Sequence, residues 1–253
     1  MVTLHNGDCV PYLKAMPSKS VSAVISDPPY GIANIVGNGR YGRPVRKIEN
    51  DYDLSVLVSV FQEMCRVAPL VMLFHSPRNL PDFYRQIDGV NFAGHIIWNK
   101  KAPGTGFGSI RYQHEHISVF GDLPKEKESI FSVIDEYRVA NLHPHEKPVL
   151  LMQKLINWVD GENKIILDPF MGSGSTGVAC VKLEVDFVGC ELSQEYFSIA
   201  EKRIKEASLQ QHLFTPSNNR LHPDGGDSAP QQALFSPEVL SPSPAASKPA
   251  RRR

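Results

Sequence analysis

The chain of 253 residues carries no excess of either charge, because Lys+Arg and Asp+Glu each number 27. A polyanionic partner must therefore be met by local clusters of cations and not by the field of the whole molecule. Cysteine is scarce. Cys9, Cys65, Cys180 and Cys190 lie far apart, with no C-x-x-C pair and no histidine at ligand spacing. That excludes a zinc site or a disulfide framework as the organising device. They read as small buried hydrophobes in a reducing compartment. No Gly-Lys-Ser/Thr loop is present, which removes ATP or GTP from the expected ligands. No apolar run is long enough to cross a bilayer, and Met1 to Val10 already contains Asp8 and other polar residues, so a cytoplasmic protein without a membrane partner is expected. With 42% hydrophobic residues, the chain can bury one good-sized core, and one domain is expected.

Within that frame, strand-like and helix-like stretches alternate. Val2 to Leu4 reads as a short strand, Val10 to Ala15 as a short helix and Val21 to Ser26 as a buried strand. Leu54, Leu57, Val58, Phe61, Met64 and Cys65 recur at helical spacing, and Pro69 separates them from a strand over Leu70 to His75. A second helix is expected over Leu80 to Ile87, and strands over Phe92 to Trp98 and Glu115 to Phe120. Later come a helix over Val149 to Val159, a short strand at Lys164 to Leu167 and another at Asp186 to Cys190. Such alternation predicts a doubly wound parallel sheet. From Ala207 the composition turns to Gln, Ser, Pro and Asn, from which no core can form. The expected division is therefore a domain over 1–206 and a disordered tail over 207–253.

Two strand ends carry the chemistry. After Val21 to Ser26 comes Asp27-Pro28-Pro29-Tyr30, and prolines cannot continue a ladder. A carboxylate, carbonyls without competing N–H groups and an aromatic ring are left at the carboxyl end of a strand, where open α/β sheets bind ligands. This suits a flat ring bearing an amine, donating to Asp27 and the Pro28 carbonyl while Tyr30 stacks on its face. Read alone, the same tetrapeptide is a proline-capped strand entering a turn. The second strand end is Asp168-Pro169-Phe170-Met171-Gly172-Ser173-Gly174-Ser175-Thr176. Gly172 and Gly174 permit a tight turn and close approach of a ligand, and Ser175 or Thr176 can cap the next helix. Glu191 ends the following strand about twenty residues on, the spacing at which an acid accepts from ribose hydroxyls. The third glycine of a dinucleotide fingerprint is missing, since Gly177 falls one position late.

Asp-Pro-Pro-Tyr at 27–30, the glycine loop at 168–176 and His143-Pro144-His145-Glu146-Lys147-Pro148 together resemble the DNA amino-methyltransferases, which methylate adenine N6 or cytosine N4 using S-adenosylmethionine. The catalytic motif precedes the cofactor loop, an order that resembles the beta group of bacterial and phage enzymes. The likeness covers roughly Leu4 to Ile204. It implies a Rossmann-like methyltransferase fold: a doubly wound, mostly parallel, seven-stranded sheet, circularly permuted with the catalytic half first. It also implies Asp27, Pro28, Pro29 and Tyr30 as catalytic residues. Asp8, Asp168, Pro169, Phe170, Gly172, Ser173, Gly174, Thr176, Glu191 and Lys147 are then the cofactor-binding set, with Asp8 beside the adenine and Phe170 beside the methionine portion. Asp8 also reads as a plain turn or N-cap aspartate.

Double-stranded DNA is the implied partner, bound by a monomer or homodimer. The stretch 31–52 is rich in glycine and contains Arg40, Arg43, Arg46 and Lys47. It reads as a DNA-facing loop that closes over an extruded base, or as a solvated insertion. Lys100 and Lys101 are candidate phosphate contacts and Phe107 a candidate base contact, although a lysine pair after a strand is also an ordinary solvated turn. The target-recognition insert is confined to 122–142, which leaves few residues for base edges. Carbon-5 cytosine chemistry is disfavoured because no cysteine follows a proline. Aspartate at position 27 favours adenine N6, with cytosine N4 the alternative and an idle DNA- or cofactor-binding module a further one.

Overall fold

The computed structural model describes residues 1–28, 54–75, 84–85, 87, 89–102, 112–125, 128–138 and 146–214. Its strands are β1 (Val2–Asn6), β2 (Ala23–Ser26), β3 (Leu70–His75), β4 (Phe92–Asn99), β5 (His114–Gly121), β6 (Val133–Asp135), β7 (Ile165–Asp168) and β8 (Asp186–Glu191). Its helices are α1 (Cys9–Ala15), α2 (Leu54–Val67), α3 (Val149–Trp158), α4 (Ser175–Lys182) and α5 (Gln194–Phe214). Local chemistry sets several of these bounds. Asp8 caps α1 by accepting from the Val10 N–H at 2.9 Å, and Met16-Pro17 stops it.

All eight strands form one sheet in the order β1-β8-β7-β2-β3-β5-β4-β6. Pairing is parallel from β1 to β3, antiparallel on both sides of β5, and parallel again between β4 and β6. Period-two alternation sorts each strand between two cores. Ala23, Ile25, Met72 and Phe74 face a layer containing Leu151 and Leu155 of α3, Ala179 of α4 and Ile204 of α5. Val24, Val71 and Leu73 face Leu13 of α1 and Phe61 and Met64 of α2. Strands β2 and β3 are buried along their whole length, as a strand with helices on both faces must be.

The sheet's order reverses between β2 and β7. From β2 the chain runs on to β3 on one side, and from β7 to β8 on the other. Ligands of open α/β sheets bind in the crevice at such a switch point. Asp27 and Asp168 stand at its two lips.

Two expectations change. The sheet has eight strands and not seven, because the insert at 122–142 contributes β6 alongside β4. Helix α5 runs through Phe214, so ordered chain passes the expected boundary at 206 by two further turns. The helix expected over Leu80 to Ile87, the 31–52 loop and Phe107 lie wholly or largely outside the described residues.

Candidate active site

Asp168 ends β7 with its side chain turned inward. Its Oδ1 accepts from the Ser26 hydroxyl at 2.6 Å and from the Phe170 N–H at 3.2 Å, and its Oδ2 from the Thr176 hydroxyl at 2.5 Å. One carboxylate thereby ties β2, the glycine loop and α4 together. Burial pushes its pKa up to about 6, against these three donors. It was expected among the cofactor-binding residues; at 3% exposure its side chain is spent on holding the glycine loop in place. The expected cap from Ser175 or Thr176 is also corrected. Gly174 is the N-cap, in the left-handed region at φ 82 and without a side-chain bond, and Thr176 spends its hydroxyl on Asp168.

The loop is built for close approach. A Cβ on Gly174 would stand 2.9 Å from that of Ala200, whereas one on Gly172 would point into open space, so the loop's outer face at Gly172 is free to meet a ligand. Glu191 is aimed across it: its Oε2 accepts from the Gly172 N–H at 2.9 Å and its Oε1 from the Ser193 N–H at 2.8 Å. The turn carrying Asp8 adjoins it, since Gly7 donates its N–H to the Glu191 carbonyl at 2.9 Å. A fixed acid beside an open glycine turn fits a nucleoside-bearing cofactor.

Sequence reasoning missed Arg203, on α5. Its guanidinium donates to the Ser173 carbonyl at 2.6 Å and hydroxyl at 3.0 Å, and to Glu146 Oε1 at 2.6 Å. The glycine loop is thus strapped to Glu146, one residue before Lys147. The inward stripe Ala200, Ile204, Ala207 sits beside Arg203, and a cation bordering such a stripe is the available signal.

Lys147 was expected among the cofactor contacts, but the structure places it against the other motif. Its ammonium forms ion pairs with Asp27 Oδ2 and, at 3.0 Å, with Glu115 Oε2. Lys100 completes the chain of charges by meeting Glu115 Oε1 at 2.5 Å. Phe74 and Trp98 floor the site, their ring centres 5.0 and 5.9 Å from the Lys147 ammonium, and both rings attract the cation. Glu115 pairs across the ladder with Trp98. That puts it on the inward face with Ile117 and Val119, where an acid breaks the apolar alternation, a signal readable in sequence.

Burial raises Asp27 to about 6, with Lys147 opposing and Glu115 assisting. Burial works against the Glu115 charge too, but Lys147 and Lys100 together outweigh it and hold that carboxyl down at about 2. Burial also opposes the Lys147 charge, and the two carboxylates overcome it and keep the ammonium protonated. Lys100 is corrected as a phosphate contact, because only 17% of its side chain is exposed and that side chain serves Glu115. Lys101 is more open and pairs with Asp135 at 2.5 Å. Pro28 and Pro169 are buried and Phe170 is half-buried. Pro29, Tyr30, Arg40, Arg43, Arg46 and Lys47 lie outside the described residues.

A switch-point crevice with a glycine loop on one lip and an Asp-Pro turn on the other fits the Rossmann-like methyltransferase fold. Residues 121–202 match the N6_N4_Mtase family, described as DNA methylase. The type II methyltransferase M.HinfI of Haemophilus influenzae is 24% identical over 245 residues, covering 81% of this chain and 68% of that protein. The M1.HpyAVI structure, solved as a complex with S-adenosylmethionine, is 25% identical with a TM-score of 0.58, covering 80% of this chain and all of that one. The cytosine-N4-specific PvuII DNA methyltransferase shares the fold, with a TM-score of 0.59 at 16% identity over 83% of this chain and 92% of that one. Over residues 121–202 the chain thus matches the N6_N4_Mtase family, and across about four-fifths of its length it is similar to DNA methyltransferases. Among the described residues no helix is long and apolar enough to cross a membrane.

Proposed function

We propose that the protein methylates adenine N6 in double-stranded DNA, with Asp27 as the group that positions the amine. The observation that carries this reading is the placement of Asp27 across the switch point from Asp168, one residue after Ser26, which bonds Asp168. Bound S-adenosylmethionine supplies an electrophilic methyl group. The chain supplies position and charge. An exocyclic amine conjugated to its ring is a poor nucleophile, and two acceptors, Asp27 and the Pro28 carbonyl, would draw on both its hydrogens and free the lone pair. Positive charge developing on nitrogen is then stabilised by Asp27. Glu191 holds the ribose, Tyr30 stacks on the base, and Arg40, Arg43, Arg46 and Lys47 meet phosphates around a flipped nucleotide. Lys101 remains as a rim contact.

Adenine is preferred to cytosine because of aspartate at position 27, as the likeness to the amino-methyltransferases implies. Cytosine N4 presents the same amine to the same acceptors and is the second reading. We place the protein in the cytoplasm, where DNA and cofactor meet. The test is incubation with labelled cofactor and unmethylated DNA, followed by nucleoside mass spectrometry. N6-methyladenine is the expected product. N4-methylcytosine would overturn the base assignment alone, and absence of either, with cofactor bound, would overturn the activity.

A further inference from the structure

The ion chain behind Asp27 is longer than amine positioning requires. A lone Lys147 would satisfy Asp27, yet that ammonium is shared with Glu115, which in turn takes Lys100. Burying four alternating charges is expensive unless their arrangement serves a purpose. Trp98 lies beneath both cations, 5.2 Å from Lys100 and 5.9 Å from Lys147 at the ring centre, so the two cations of the chain rest on one ring.

We propose that Glu115 and Lys100 are positioning residues that set the proton affinity of Asp27 through their competition for Lys147, so that Asp27 accepts the proton released by the methylated amine. The inference rests on the reading of Asp27 given above. After methyl transfer the nitrogen carries a positive charge and one proton too many. One N–H bond breaks with its electron pair staying on nitrogen, and an O–H bond forms on Asp27. The methylated base and the carboxyl both end neutral, and the proton later leaves to water through the exposed part of Asp27, whose side chain is 19% exposed.

An aspartate of ordinary acidity is a weak acceptor for this proton. Were Asp27 paired with an unshared lysine, its affinity would be lower still. Glu115 opposes that in two ways, drawing Lys147 toward itself and adding a negative charge nearby. Among the described residues, the charged groups that act on Asp27 are Lys147, Glu115 and Asp168. His114 and His116 flank Glu115 on its strand and project from the opposite sheet face. Burial and this arrangement leave Asp27 titrating near 6, close to the working pH, where an acid-base group is most effective.

Two near-isosteric variants push the system in opposite directions. Glu115→Gln removes the competitor, so the acidic limb of the kcat–pH profile moves down by about one unit, and kcat on the plateau falls several-fold. Lys100→Met leaves Glu115 dependent on Lys147 alone, which pulls the ammonium from Asp27 and moves the same limb up. KM for S-adenosylmethionine stays unchanged in both, a result that a loosened fold would not give. Limbs that stay fixed, or that move in the same direction in two folded variants, overturn the inference. Asp27→Ala separates it from its foundation: full activity there sinks the role of Asp27, whereas an inactive Asp27→Ala beside unmoved limbs sinks only the tuning by Glu115 and Lys100.

Discussion

Strands β2 and β7 are parallel neighbours, and each runs out into an Asp-Pro pair, Asp27-Pro28 and Asp168-Pro169. The two carboxyls are raised alike, to about 6, with burial as the leading cause in both. Their company differs. Asp168 is held by two hydroxyls and a backbone N–H, neutral donors that fix a carboxylate without importing a second charge. Asp27 is held by a lysine that a second carboxylate also claims. Neutral donors make an anchor; a shared cation makes a group whose charge can be adjusted. The dipeptide says where each strand stops, and its neighbours decide what each aspartate does. Exposure agrees, since Asp168 is sealed while part of Asp27 reaches solvent.

Removing each aspartate tests that division. Asp27→Ala is expected to lower kcat by about 10²–10³-fold, the scale for losing an electrostatic contact to the reacting centre, and to leave the melting temperature nearly unchanged, because Lys147 keeps Glu115. Asp168→Ala should do the reverse. It strands the Ser26 and Thr176 hydroxyls and costs about 1–3 kcal/mol of stability, with activity lost through KM for the cofactor. Steady-state kinetics and thermal unfolding of both variants decide the matter, and an unaltered melting temperature for Asp168→Ala would remove its role as anchor.

A smaller effect is expected at the strap between the two lips. Arg203 joins the Ser173 segment to Glu146, and the next residue, Lys147, reaches Asp27. Arg203→Met should weaken cofactor binding by about tenfold, the equivalent of roughly one charge-assisted hydrogen bond, measured by calorimetry. Binding at the original strength would show that the loop holds its shape without the strap.

The fold was legible where periodicity and punctuation agree. Strand β3 matches its expected bounds and helix α2 spans the expected periodic run, since Pro69 separates two strongly patterned stretches. The site's frame was legible too, because Asp27, the glycine loop and Glu191 are local motifs at strand ends. Less legible was what links distant segments. Lys147 lies far along the chain from Asp27, and its partner follows from the path of α3 beside β2 and β5, which no local pattern carries. Lys100 reads as a turn lysine until Glu115 is brought opposite Trp98. Strand β6 escaped because three residues give too short an alternation to distinguish from loop.

The smallest effect concerns acid stability, where the same aspartate anchor and the glutamate of the ion chain should behave oppositely. Asp168 titrates near 6 in the fold against an ordinary 3.8, so the folded state binds its proton more tightly than the unfolded state. Its contribution is complete below the ordinary value and is lost as pH rises through 6. Glu115 titrates near 2 against an ordinary 4.5, so its contribution is present above 4.5 and is lost as pH falls toward 2. Comparing wild type with Asp168→Asn, the stability difference should shift in favour of wild type on going from pH 7 to pH 4. Comparing wild type with Glu115→Gln, it should shift against wild type below pH 4.5. Each slope amounts to about 1 kcal/mol per pH unit between the folded and unfolded titration points, readable by urea titration at a series of pH values. Parallel slopes would mean that the two carboxylates differ in position alone and not in the kind of partner that holds them.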